Sequence, residues 1–175
     1  LLERVLADQV ERGRVHGHAV SGAQVCLAVQ QWKDALIAAP LDPHSPGQRA
    51  RARHGVCGVR EQAAAGYPVL RELALPALRH ALDSGLPRDA ALCQTLMQLV
   101  AQVDDLNLLH RGGTEGLRWA QQQAATFLSA GAAFAPDWRM RLQSIGDAFV
   151  RRRLSPGGSA DLLACAWFLL QQEGA

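Results

Sequence analysis

Leu92, Leu96, Leu99, Val100 and Val103 recur at the three- and four-residue spacing that lines one face of an α-helix, and this period dominates the chain. It returns at Trp138, Leu142, Ile145 and Phe149. No stretch alternates apolar and polar residues as a half-buried strand would. A chain with this one period buries its apolar stripes by packing helix on helix. The expectation is therefore an all-α, compact multi-helix domain of roughly six to eight helices, with glycine-rich joints between them.

Proline, glycine and capping residues punctuate the pattern. Leu1 to about Arg14 reads as a helix ending near Gly13–Gly17. Ser21 is placed to cap a helix that Pro40 stops. Residues 40–58, interrupted by Pro40, Pro43, Pro46, Gly47, Gly55 and Gly58, read as a loop that carries Arg49, Arg51 and Arg53. Pro68 opens a helix through about Ser84, kinked or broken at Pro76, and Gly85-Leu86-Pro87 forms the next turn. Thr114 is expected to cap a helix that Gly131 ends, and Ser159 a last one through about Gln172.

Length and composition exclude several classes. With 175 residues, 49% hydrophobic and 19% charged, the chain fits one globular domain and not a disordered or fibrous one. Of its 18 basic residues only Lys33 is lysine, yet the net charge is +2, too weak for a general nucleic-acid binder. The longest apolar run, Leu162–Leu170, is too short to span a bilayer. Cys26, Cys57, Cys93 and Cys165 form no C-x-x-C pair, and His16-Gly17-His18 reads as a turn without a third metal ligand. Together these point to a reducing, cytoplasmic setting without structural zinc. The start, Leu1-Leu2-Glu3-Arg4, carries no leader, so the chain reads as entered partway along.

The chemistry gathers at three joints where glycine meets charge. The first runs from Gly58-Val59-Arg60-Glu61-Gln62 into Ala63-Ala64-Ala65-Gly66-Tyr67-Pro68. The second is Asp104-Asp105-Leu106-Asn107-Leu108-Leu109-His110-Arg111-Gly112-Gly113-Thr114, and the third Leu154-Ser155-Pro156-Gly157-Gly158-Ser159-Ala160-Asp161. Glycine lets a backbone approach a ligand, and a helix start favours phosphate. The paired carboxylates offer oxygen ligands for Mg²⁺ shared with phosphates. The plainer alternatives are that Asp104 and Asp105 end a helix while one of them pairs with Arg111, and that Ser159 merely caps. The third joint lacks the Gly-Lys-Ser/Thr ending of a Walker A loop.

At these joints the sequence resembles the triphosphoribosyl-dephospho-CoA synthases. The likeness rests on Arg60 with Ala63–Pro68, on Asp105-x-Asn107-Leu108-Leu109-His110-Arg111-Gly112-Gly113, and on Leu154-Ser155-Pro156-Gly157-Gly158-Ser159-Ala160-Asp161-Leu162-Leu163-Ala164. It implies transfer of the 5-triphosphoribosyl group of ATP to the 2′-hydroxyl of 3′-dephospho-CoA, with adenine released and Mg²⁺ assisting. It further implies that the product passes to a transferase acting on the acyl carrier protein of malonate decarboxylase or citrate lyase, the former branch being the closer. On the same resemblance Asp105 and Asp161 serve as metal ligands or base, and Asn107 orients substrate or metal. Arg111, Gly112, Gly113, Ser155, Gly157, Gly158 and Ser159 cradle phosphates, with Arg60 a second clamp. The family carries Glu where Gln62 stands, Thr where Leu106 stands, and an N-terminal segment with Pro-Lys-Pro-Gly and Thr-His-Lys/Arg-Gly motifs that this sequence lacks. The expectation is thus a single domain over residues 1–175 forming the C-terminal portion of a synthase, with a non-catalytic relative that binds nucleotide or a protein as the alternative. Helix faces left uncovered are expected to drive self-association.

Overall fold

The helix marked most strongly by its periodicity is also the one the others pack around. In the computed structural model, which describes residues 21–38, 53 and 55–173, every regular element is helical and no strand occurs among the described residues. The readings for residues 1–14, His16-Gly17-His18, Arg49 and Arg51 lie outside the described residues.

Helix α1 (Gly22–Ala28) continues through a 3-10 turn (Val29–Trp32) into α2 (Lys33–Ala38). Ser21 caps it reciprocally: its hydroxyl accepts from the Gln24 N–H at 3.3 Å, and Gln24 Oε1 accepts from the Ser21 N–H at 2.8 Å. Helix α3 (Val59–Ala64) leads to Pro68 and a π-helical turn (Val69–Ala74) that runs into α4 (Leu75–Asp83). Pro76 explains that turn. It has no N–H to return to residue 72 and its ring crowds that carbonyl, so the preceding turn widens, with the Leu75 N–H reaching back to Leu70. At Pro76 the segment therefore changes from π-helical to α-helical geometry without a gap, and it stays helical from 68 to 83.

After the Gly85 turn come α5 (Arg88–Gln102), α6 (Leu106–Ser129), α7 (Trp138–Arg151) and α8 (Gly157–Glu173). Gly131 follows α6 in the left-handed region at φ 97°, as a helix-ending glycine should.

Two hydrophobic clusters share α5. Ala91 and Leu99 join the first, built with α1, α4 and α8, whereas Ala90, Met97 and Val100 join the second, built with α6 and α7. Two of its buried polar residues are hydrogen-bonded: Thr95 Oγ1 donates to the Ala91 carbonyl at 2.8 Å, and Gln94 Oε1 accepts from the Ala133 N–H at 3.2 Å. Helix α8 closes the first cluster, where Glu173 accepts from Arg79 and from the Gly22 N–H at the start of α1. No helix among the described residues is long and apolar enough to cross a membrane.

Leu99 is fully buried, so Leu99→Ala is expected to lower stability by about 2–5 kcal/mol, read as a shifted urea midpoint at unchanged slope. The thiols also differ. Cys26 is buried and Cys57 exposed, and burial pushes the Cys26 thiol up to about 11 against a smaller opposing pull from Arg71. Under native conditions at pH 8 a maleimide should label Cys57 first and Cys26 last, measured by mass spectrometry of peptides.

Candidate active site

The second and third joints meet on one carboxylate. Asp105 is 1% exposed, and its Oδ1 accepts from the N–H groups of Asn107 at 2.8 Å and Leu108 at 3.3 Å. Its Oδ2 accepts from the Ser159 N–H at 2.7 Å and the Ser159 hydroxyl at 2.9 Å. One side chain thus caps the N-termini of both α6 and α8, where the two helix dipoles also favour its charge. A carboxylate has about four lone-pair sites, and all four are occupied here.

This clamp corrects several expectations. Helix α6 has two segments, a first turn or two from Leu106 that Asp105 caps and the helix expected from Thr114 that runs to Ser129, with non-helical Gly113 between them. Most of the second joint is therefore helix. Ser159 is not the cap of α8 but its third residue, capped from across the structure by Asp105. Asp161 lies beyond the first turn, on an exposed face. The adjacent carboxylates also diverge: Asp105 is buried against α8, whereas Asp104 is exposed. Among the described residues Arg111, which is exposed, forms no ion pair with either of them.

The glycines of the two joints serve this contact. A Cβ on Gly158 would stand 3.2–3.3 Å from the Asp105 carboxylate, and one on Gly157 would run into the Asn107 amide. A Cβ on Gly112 would lie 2.5 Å from Leu154 Cδ2, and one on Gly116 at 3.1 Å from the same methyl. Leu154 therefore seats in a notch between two glycines four residues apart, which a helix presents on one face. The sequence reading named Leu154 in the third joint without giving it a role, and did not name Gly116. Gly113 differs from the rest. Its φ of 61° with ψ −164° is a conformation reserved for glycine, it bends α6, and nothing lies within 4 Å of where its Cβ would be. It is the glycine of the joint whose flank is open to a ligand.

The remaining residues are more dispersed. Ser155, Gly157 and Gly158 are half-buried at the start of α8. Arg60 is half-buried on α3, which packs chiefly on α2 and the 3-10 turn before it. On the same helix the buried Gln62 Oε1 has no hydrogen-bond partner among the described residues. Among the described residues no three His, Cys, Asp or Glu side chains converge to hold a metal ion.

The chain matches the family described as CitG, ATP:dephospho-CoA triphosphoribosyl transferase, over residues 10–175, and belongs to it. It is 38% identical over 165 residues to a Citrobacter koseri protein named "Probable 2-(5''-triphosphoribosyl)-3'-dephosphocoenzyme-A synthase", covering 91% of this chain and 55% of that protein. A Salmonella choleraesuis protein of the same description, numbered 1, is 34% identical over 170 residues, covering 94% of this chain and 56% of its own length. The chain therefore spans about half the length of the curated relatives it matches. No solved structure matches it.

The Leu154 notch is testable by a double-mutant cycle. Gly112→Ala should destabilise the native chain by about 1–3 kcal/mol, because the added methyl overpacks against Leu154. In a Leu154→Ala background the same change should be neutral or stabilising, since alanine favours helix over glycine. Equal costs in both backgrounds, measured by urea unfolding, would refute the notch.

Proposed function

We propose that this chain works in triphosphoribosyl transfer from ATP to 3′-dephospho-CoA, as the C-terminal portion of a synthase. The observation that carries the reading is the Asp105–Ser159 pairing, which joins the family's two longest motifs into one unit. In the reaction the dephospho-CoA 2′-oxygen forms a bond to C1′ of the ATP ribose while the C1′–N9 bond breaks. The bonding pair leaves with adenine, and the hydroxyl proton is passed through a base to the departing ring. Positive charge builds on the ribose as this happens, so the triphosphate must be held and the hydroxyl oriented.

The residues divide this work. Asp105, with Ser159, acts as the positioning clamp: its four hydrogen bonds leave no lone pair for a metal or a proton. Asp161, exposed on α8, is the carboxylate for the base or for one Mg²⁺ contact. Mg²⁺ fits this chain only as an ion shared with the triphosphate, since it commonly takes one or two carboxylates plus phosphate oxygens. Bound in that way it would neutralise developing phosphate charge. Arg111 beside the open flank of Gly113 is the phosphate contact on α6, with Ser155 at the start of α8 and Arg60 on α3 as further phosphate contacts. Asn107, packed on Gly157, orients the substrate hydroxyl. The product suits a transferase that loads an acyl carrier protein of a malonate decarboxylase or citrate lyase.

The test is adenine release, followed by chromatography, from the chain with ATP, 3′-dephospho-CoA and Mg²⁺. Release should require both substrates and fall by about 10²-fold or more in Asp161→Asn, the usual contribution of a positioned base. ATP binding without any release would instead identify a non-catalytic relative.

A further inference from the structure

A cavity of about 230 Å³ lies beside the Gly113 bend, on the side of α6 toward which Asp104 extends. Its walls are Val56, Leu109 and Leu117, and its polar groups are Asp104, Thr114, Arg118 and Gln121. We propose that this cavity is a purine-base pocket that holds the adenine of ATP; the inference rests on the transfer reading above and deepens it.

Size decides first. Sites for whole cofactors and drug-sized ligands are about 300–1,000 Å³, so this cavity takes a fragment such as a base and leaves sugar and phosphates outside. Charge decides next. Asp104 disfavours a free anion and Arg118 a free cation, while the pair together suits a neutral ring that both donates and accepts. A carboxylate only accepts, a guanidinium only donates, and an amide and a hydroxyl do both. Adenine presents a donating exocyclic amine beside accepting ring nitrogens, and carboxamide side chains pair with that edge in other settings. Asp104 takes the amine, Arg118 donates to the ring, and the flat faces rest on Leu109 and Leu117.

Two further features agree. The Gln121 amide is weakly committed, its nitrogen 3.4 Å from the Val103 carbonyl and 3.5 Å from Asp104 Oδ1, at the outer limit of hydrogen bonding. It is available to turn to a ligand. Thr114, on the cavity lining, directly follows Gly113, whose flank is open. A base in the cavity therefore sends its sugar and phosphates over the Arg111–Gly113 bend, with the scissile C1′–N9 bond between the two. When that bond breaks the pair stays on adenine, and Arg118 stabilises the ring by hydrogen bonding without giving up its own proton.

Free adenine titrated into the chain by calorimetry tests this. Adenine should bind, and Asp104→Asn, Arg118→Ala or Gln121→Ala should each weaken it at least tenfold, while Arg139→Ala on α7 changes nothing. Hypoxanthine, with a carbonyl in place of the exocyclic amine, should bind at least tenfold more weakly than adenine. All three substitutions lie on exposed or half-buried positions, and thermal melts confirm that the variants fold. No adenine binding, equal affinity for hypoxanthine, or binding of a zwitterionic amino acid in place of adenine would overturn the pocket. Turnover separates the two readings. Adenine release with an unchanged KM for ATP in Asp104→Asn sinks the pocket and leaves the transfer reading intact, whereas adenine binding without any turnover sinks the transfer reading and leaves the pocket.

Discussion

The arrangement of the candidate site depends on a single buried carboxylate. Removing Asp105 from water would be prohibitively costly without partners, and here four donors and two helix N-termini compensate it. The bonds run in both directions through the chain. Two reach forward to start α6, and two cross to fix the first turn of α8. The bend at Gly113, the notch for Leu154 and the approach of Gly157 and Gly158 all require α6 and α8 to be held in this register. An Asn at the same place would supply one accepting atom and one donating group, so half of the contacts would become donor against donor. That is why the position calls for an acid.

This changes the meaning of a glycine-rich motif. Glycines next to charges in a nucleotide-binding family invite reading as a phosphate cradle. In this structure Gly112, Gly116, Gly157 and Gly158 point toward side chains of the same molecule, where a methyl group would collide. Their smallness lets two helices approach. Gly113 alone among the glycines of its joint combines a conformation only glycine tolerates with open space beside it. Ligand contact and helix packing are thus divided between neighbouring residues of one motif.

The helices themselves were legible in the sequence because their signals are local. The stripe from Leu92 to Val103, the Ser21 cap, the Gly131 terminator and the Trp138–Phe149 repeat each fall within a few turns, and each element is present. The errors share one cause. Ser159 was read as a cap since serine before an apolar run usually is one, and Asp105 was not expected to cap the start of α8. Their partnership spans 54 positions of sequence, and no local pattern encodes it. At Pro76 the proline forbids one hydrogen bond, and whether the chain breaks or widens depends on whether packing rewards staying helical. Leu70, Ala74, Leu75 and Leu78 are all fully buried, so it stays helical.

The divergence of Asp104 and Asp105 ties these threads together. Asp104 and Asp105 lie in the non-helical link between α5 and α6, where the Asp105 backbone is extended, and successive side chains on an extended backbone point to opposite sides. The chain uses that geometry. It turns one acid inward to lock α6 onto α8, and leaves the other at the surface beside Thr114, Arg118 and Gln121. The inward acid gains from rigidity, because every bond it makes is to the backbone or to a buried hydroxyl. The outward acid gains from freedom, since its one described neighbour, the Gln121 amide, is held at 3.5 Å. Rigid clamp and adaptable rim therefore come from adjacent residues of the same joint.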